Sequence, residues 1–314
     1  MSEPIIVARG LTRKFGDFVA VDGLGLEVAP GTIFAFLGAN GSGKSTTIRM
    51  LIGLLAPTAG EIRVDGIDVI AHPRRVRDRI GYMGQRVSLY QGLTLRENVE
   101  FYAGLYGLEG QALERRWGAV RERFALADAE TERPENLPAG LRQRAGLALS
   151  TLHAPRVLFL DEPTAGVDVH SRELFWELIQ AEADGGVTVF VTTHFLEEVD
   201  YCDRVCFIDA GRLVADATPE DLRARHSEGY RIHVSGSLTA EAQALLVRAG
   251  LEPRRDGDAW SVSAARLDAA ALAALGDALG CELGRRVRVE QPAMNEVFRR
   301  LIAHGTAARG GDAA

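Results

Sequence analysis

The sequence predicts an α/β protein built on a largely parallel sheet, followed by a small α+β domain. Three observations lead there. Short apolar, often β-branched runs alternate with helical patterns over most of the chain, the rhythm of strand–helix–strand units. A glycine-rich turn, Gly38-Ala-Asn-Gly-Ser-Gly43-Lys44-Ser45, ends one such run and opens a helical pattern. The rhythm then changes near Pro219 to Ser227.

Residues 4–36 place apolar clusters between turn signals at Arg9-Gly10 and Ala29-Pro30-Gly31, which predicts several short strands. Thr32 to Leu37 is an apolar strand that runs into the glycine turn, and Lys44 to Leu54 is a helix that Ala56 to Gly60 breaks. Glu61 to Asp68 is strand-like. From about Arg86 to Glu135, Arg, Glu and Leu recur at helical spacing with few strand formers, which predicts a helical insert. Leu141 to His153 and Ser171 to Ala183 are helices, while Arg156 to Leu160 and Val187 to Thr192 are strands. After the change, Tyr230 to Val234, Trp260 to Val262 and Gly284 to Val289 read as strands. Ala240 to Ala249, an Ala/Leu-rich stretch before Gly284, and Ala293 to Ala303 read as helices. The expected boundaries are 4–222 for the α/β domain with its insert at about 86–135, 228–304 for the α+β domain, and 305–314 for a small, polar, disordered tail.

Composition narrows the function classes. The 314 residues are 46% hydrophobic and 25% charged, ordinary for a globular protein with a sizeable core. The net charge of −7 argues against a nucleic-acid binder, which needs clustered positive charge. Cys202, Cys206 and Cys281 are too few for a disulfide framework and imply a reducing, intracellular compartment. The spacing of Cys202 and Cys206 suits a metal pair, but no second ligand pair accompanies it, so both read as small buried side chains. Met1 to Gly10 lacks the pattern of a signal peptide, and no apolar run approaches the ~20 residues needed to cross a bilayer.

The glycine turn fits G-x-x-x-x-G-K-[ST] in the strand–loop–helix context that gives this pattern its meaning, a phosphate-binding P-loop over Gly38 to Thr46. Gly38, Asn40, Gly41 and Gly43 lie where backbone N–H groups curl around phosphate oxygens, with no Cβ obstructing the glycines. The helix N-terminus adds unpaired donors and partial positive charge. Lys44 is expected to reach the β/γ-phosphates of ATP, and Ser45, beside Thr46, to offer its hydroxyl to Mg²⁺. Val157-Leu-Phe-Leu-Asp161-Glu162 is a buried strand that ends in two carboxylates. There Asp161 suits a Mg²⁺ ligand, and Glu162 a group that orients or deprotonates water.

With these motifs in this order, the sequence resembles the ATP-binding cassette (ABC) family over residues 5 to about 220. The resemblance implies a P-loop NTPase cassette fold and an ATPase that powers transport. It implies an adenine-stacking role for Phe15 and a Mg²⁺- and γ-phosphate-sensing role for Gln85 in Tyr-Met-Gly-Gln. Asp161 and Glu162 match the Mg²⁺ ligand and the catalytic carboxylate, Ala165-Gly-Val-Asp168 matches a loop that crosses a dimer interface, and His194 matches the γ-phosphate switch. His153 and His170 match no role and read as structural. One segment departs from the family pattern. Where the family has Leu-Ser-Gly-Gly-Gln, this chain has Leu137-Pro138-Ala139-Gly140-Leu141. Pro138 supplies neither hydroxyl nor N–H, a loss of about 1.5–3 kcal/mol if nothing replaces the bond. Proline nonetheless suits a helix start, so the N–H groups of Ala139 and Gly140 remain for the γ-phosphate held by a partner subunit. A Leu-Pro-x-Gly variant resembles exporter-type cassettes, and Gln291 to Phe298 resembles the C-terminal extension of drug and polyketide exporters.

The resemblance therefore implies two copies that sandwich ATP and a separate membrane permease at the cytoplasmic face. A soluble ABC-type ATPase acting on ribosome or DNA and a non-hydrolysing regulatory subunit are the other readings. The single cassette, the acidic charge and the lack of long heptad repeats weigh against the first of these.

Overall fold

The computed structural model describes residues 3–85, 88–226, 229–257, 259–264, 267–280, 283–290 and 294–301. The chain divides into two compact units, Met1–Asp216 and Ala217–Ala314.

The first unit holds two sheets. One is four-stranded, in the order β2 (Phe18–Val28), β1 (Ile6–Phe15), β4 (Ala59–Val64), β5 (Ile67–Asp68). The several short strands expected before residue 36 are two long antiparallel ones. Gly10, at φ 58°, interrupts the register between Ala8 and Leu11, and a bulge of this kind lets one strand bend rather than break.

The other sheet is six-stranded, in the order β10 (Arg212–Ala217), β9 (Arg204–Asp209), β3 (Ile33–Leu37), β8 (Thr188–Thr193), β7 (Val157–Asp161), β6 (Ile80–Met83). The pairs β9–β3, β3–β8, β8–β7 and β7–β6 are parallel. Every residue of β3, β7 and β8 is buried, as expected of parallel strands covered on both faces. Phe190 knits the three together, its ring 5.4–5.5 Å from those of Phe34, Phe36 and Phe159. The short β6 and the pair β9 and β10 lay outside the sequence expectation.

The helices of this unit are α1 (Lys44–Leu51), α2 (Pro73–Arg77), α3 (Leu95–Leu105), α4 (Gly110–Arg123), α5 (Ala139–Thr151) and α6 (Val169–Asp184). The insert expected over 86–135 is α3 and α4 with two 3₁₀ turns, and residues 88–94 ahead of α3 are not helical. Its first residue, Arg86, lies outside the described residues. The insert is tied by Arg96, whose guanidinium meets Glu100, Glu114 and Glu130, while Glu130 also accepts from Trp117 at 2.7 Å and Arg121 at 2.6 Å.

In the second unit α7 (Pro219–His226) precedes β11 (Tyr230–Ser235), α8 (Ala240–Arg248), β12 (Glu252–Asp256), β13 (Ala259–Ala264), α9 (Ala269–Leu279), α10 (Leu283–Arg286) and β14 (Val287–Glu290). The sheet order β12-β13-β11-β14, with each neighbouring pair antiparallel, is the split β-α-β-β-α-β, ferredoxin-like arrangement. One face buries Ile232, Val234 and Val262 against Leu246 of α8 and Leu275 of α9. The strand expected at Gly284 to Val289 is a short helix followed by β14, because the Gly-Arg-Arg stretch carries no alternation of apolar and polar residues. Residues 294–301 are helical, within the helix expected over Ala293 to Ala303, whose two ends lie outside the described residues. Cys281, the Gln291-Pro-Ala segment and the tail 305–314 also lie outside them.

Candidate nucleotide site

Parallel register assembles the site. Leu37 pairs with Thr193, Asp161 with Thr192, and Met83 with Leu160. The loop at 38–46, the pair Asp161–Glu162, His194 and Gln85 therefore all leave the sheet at one edge, the carboxyl ends of neighbouring strands. That edge is where open α/β sheets bind ligands.

The loop is shaped by what a side chain would collide with. Gly43, the N-cap of α1, sits at φ 108°, and a Cβ there would lie 2.6 Å from the Ala20 carbonyl oxygen of β2. A Cβ on Gly38 would run into the Ile208 carbonyl and the Ser42 hydroxyl. The loop thus presses on β2 and β9 and leads into the N-terminus of α1. Asn40 and Gly41 are exposed at its tip. Lys44 is only 4% exposed. Its ammonium donates to the carbonyl oxygens of Gly38 at 2.8 Å and Ala39 at 3.2 Å and pairs with Glu162 Oε1 at 3.2 Å.

Asp161 and Glu162 are 2% and 8% exposed. Asp161 Oδ1 accepts from Ser45 Oγ at 3.2 Å and from Thr192 Oγ1 at 2.7 Å. Glu162 is held at φ 50°, a left-handed conformation that costs a non-glycine residue about 1–2 kcal/mol. Its N–H donates to Thr192 O at 3.1 Å and Thr192 Oγ1 at 3.0 Å, which secures that turn. Glu162 Oε2 lies 3.2 Å from His194 Nδ1, so one carboxylate spans Lys44 and His194. Thr192 was not singled out in the sequence, since a threonine in a β-branched run reads as a strand former.

The remaining residues are distributed as follows. Phe15, at the end of β1, is 46% exposed, with the Arg13 guanidinium 4.5 Å above its ring. It faces Phe18 across the turn into β2, the strand whose Ala20 packs on Gly43. Gln85 is exposed, two residues beyond β6. Thr46 lies half-buried in the first turn of α1. Pro138 is the N-cap of α5, with Ala139 exposed and Gly140 half-buried in the first turn. No side chain caps this helix. Among the described residues, no hydrogen bond of Leu137 to Gln143 reaches the loop at 38–46 of the same chain. Asp168 caps α6 through Ser171 N at 3.0 Å.

His153 lies away from this edge. Its Nε2 donates to Ile80 O at 2.9 Å, and its ring stacks on Tyr106 at 3.7 Å. Cys202 and Cys206 are free and buried, and burial pushes both thiols well above their ordinary pKa.

The donor set suits its expected ligands. The hydroxyls of Ser45 and Thr192 and the Asp161 carboxylate are hard oxygen donors, the chemistry that Mg²⁺ selects. A parallel sheet with a glycine loop, a lysine and two carboxylates at its carboxyl edge defines a P-loop nucleotide-binding protein.

Comparison with known proteins extends that class to a family. A profile described as ABC transporter matches residues 21–165. The probable multidrug ABC transporter ATP-binding protein YbhF of Escherichia coli (strain K12) is 46% identical over 223 residues, 71% of this chain and 39% of that protein. The daunorubicin resistance ATP-binding protein DrrA3 of Streptomyces coeruleorubidus is 39% identical over 309 residues, 96% of each chain. Among solved structures, cbiO1 from Clostridium perfringens, part of the ABC transporter complex cbiONQ, superposes with a TM-score of 0.66 at 26% identity, over 71% of this chain and 92% of that one. The chain thus spans about two-fifths of the length of the first relative and nearly all of the second. The chain belongs to the ABC transporter family, as an ATP-binding protein with the ATPase cassette fold. MJ0796, a bacterial ABC transporter cassette solved as a dimer, is similar with a TM-score of 0.63 at 25% identity, over 68% of this chain and 98% of that one. Among the described residues no helix is long and apolar enough to cross a membrane.

Proposed function

We propose that this chain is the ATP-hydrolysing subunit of an exporter. Two copies close on ATP, which lies between the loop at 38–46 of one and the Pro138 to Leu141 segment of the other. The observation that carries the reading is the convergence of Lys44, Ser45, Asp161, Glu162 and His194 at one sheet edge. The first turn of α5, without a side-chain cap, keeps donors for an acceptor from outside the chain.

In this reading ATP phosphates take Lys44 from Glu162, and Phe15 stacks on the adenine. Freed from the lysine, Glu162 orients the attacking water and accepts its proton, with His194 beside it facing the γ-phosphate. Ser45, Asp161 and Gln85 would hold Mg²⁺, which supplies charge neutralisation to the β- and γ-phosphate oxygens. The Ala139 and Gly140 N–H groups of the second copy stand in for the missing serine hydroxyl.

A separate permease docks on the cassette at the cytoplasmic face of the membrane. Exposed apolar side chains on the insert support this contact: Tyr90, Phe101 and Tyr106 are 39–50% exposed, and Leu105 is 65% exposed. The second unit, 217–314, is an accessory domain of the exporter.

Steady-state hydrolysis by Glu162→Gln tests the reading. Turnover is expected to fall by about 10²–10⁴-fold while ATP binding is retained. Turnover equal to the parent chain would remove Glu162 from the role.

A further inference from the structure

Behind the site lies a buried carboxylate that this chemistry does not use. Glu198 is 1% exposed, in the 3₁₀ segment Leu196–Tyr201 that follows His194. Its Oε1 accepts from Thr164 Oγ1 at 2.5 Å, and Thr164, also 1% exposed, lies two residues after Glu162. Arg172 of α6 brings its Nε to 3.8 Å from the same oxygen and lays its guanidinium over the Phe195 ring at 4.2 Å. The Phe195 ring is 4.1 Å from that of His194, whose Nδ1 reaches Glu162. Trp176 of α6 stacks on Tyr201 at 5.1 Å and anchors the far end of the segment.

These contacts close a circuit: Glu162, Thr164, Glu198, Arg172, Phe195, His194 and back to Glu162. The cost of this placement is visible in the same side chains. Glu198 Oε2 and Arg172 Nε are both buried without a hydrogen-bond partner, so neither group is best satisfied where it sits. A carboxylate so placed is a poor source of stability, and what it does provide is geometry.

We propose that Glu198 is a positioning residue for ATP hydrolysis. It clamps the turn after Glu162 to the segment that carries His194 and so fixes the spacing of that pair. The inference rests on the hydrolytic reading above.

The test is steady-state and pre-steady-state hydrolysis by the full chain carrying Thr164→Val, Thr164→Ser, Glu198→Ala or the Val/Ala double change, beside Glu162→Gln. Thr164→Val, which keeps shape and deletes the hydroxyl, and Glu198→Ala should each lower kcat by about tenfold or more. KM and the Kd for Mg²⁺-free ATP should stay within about twofold of the parent chain. Thr164→Ser should restore turnover, and the double variant should be no slower than the worse single variant. A Thr164→Val protein that melts like the parent and hydrolyses ATP at the parental kcat overturns the inference, as does a loss confined to melting temperature. If Glu162→Gln itself turns over normally, the hydrolytic reading fails first, and the clamp with it.

Discussion

Thr192 does at this site what no motif announces. Its hydroxyl donates to Asp161 at 2.7 Å and accepts from the Glu162 N–H at 3.0 Å, so one side chain orients both carboxylates. Thr192→Val should weaken Mg²⁺-dependent ATP binding by about 10–100-fold, the usual cost of losing the partner of a metal ligand. Calorimetric titration with and without Mg²⁺ checks this, and the Mg²⁺-free affinity should not move. His153 makes a separate residue-scale prediction. Burial holds its pKa below the ordinary value, outweighing the bond to Ile80. Above about pH 6.5 the ring is neutral in the folded and the unfolded chain, and its contribution is intact. As pH falls through that value the unfolded chain takes up the proton first, so stability is lost on the acid side. Urea midpoints should therefore decline from about pH 7 to 5.5, and His153→Gln should flatten that decline. The P-loop residues were legible because their spacing is itself the chemistry. Thr192, Thr164 and Glu198 were not, because their roles exist only once β7, β8 and α6 are packed together.

The insert shows how an element can be legible in type and not in extent. The Arg, Glu and Leu spacing of 95–105 and 110–123 is helical in both sequence and structure. The stretch 88–94 is instead held by Asn98, which is fully buried. Its Oδ1 accepts from Tyr90 N at 2.8 Å, and its Nδ2 donates to the carbonyl oxygens of Tyr90, Leu93 and Thr94 at 2.9–3.3 Å. A lone asparagine on a helix carries no periodic signal of that kind. Asn98→Ala should cost about 2–3 kcal/mol, since it strands several backbone groups at once. Thr94 and Glu97 form a capping box at the start of α3, and Thr94→Ala should cost about 1 kcal/mol. Urea unfolding of the two variants measures both, and the larger loss belongs to Asn98.

Across the molecule, the parallel sheet was legible because β3, β7 and β8 are short, wholly buried runs rich in Val, Leu and Phe, set between helices. The α+β unit was legible as a class, whereas its β12-β13-β11-β14 order was not, because strand order depends on long-range pairing that local pattern does not encode. The same scale holds the central claim. One chain presents the loop at 38–46 and an α5 led by Pro138 that no side chain caps, and in the proposed reading two copies together complete a site. Light scattering on the Glu162→Gln chain with saturating Mg²⁺–ATP tests this most directly. The account predicts that the 34.0 kDa particle roughly doubles in mass and returns to 34.0 kDa when the nucleotide is removed. A protein that binds ATP and stays at 34.0 kDa would contradict it.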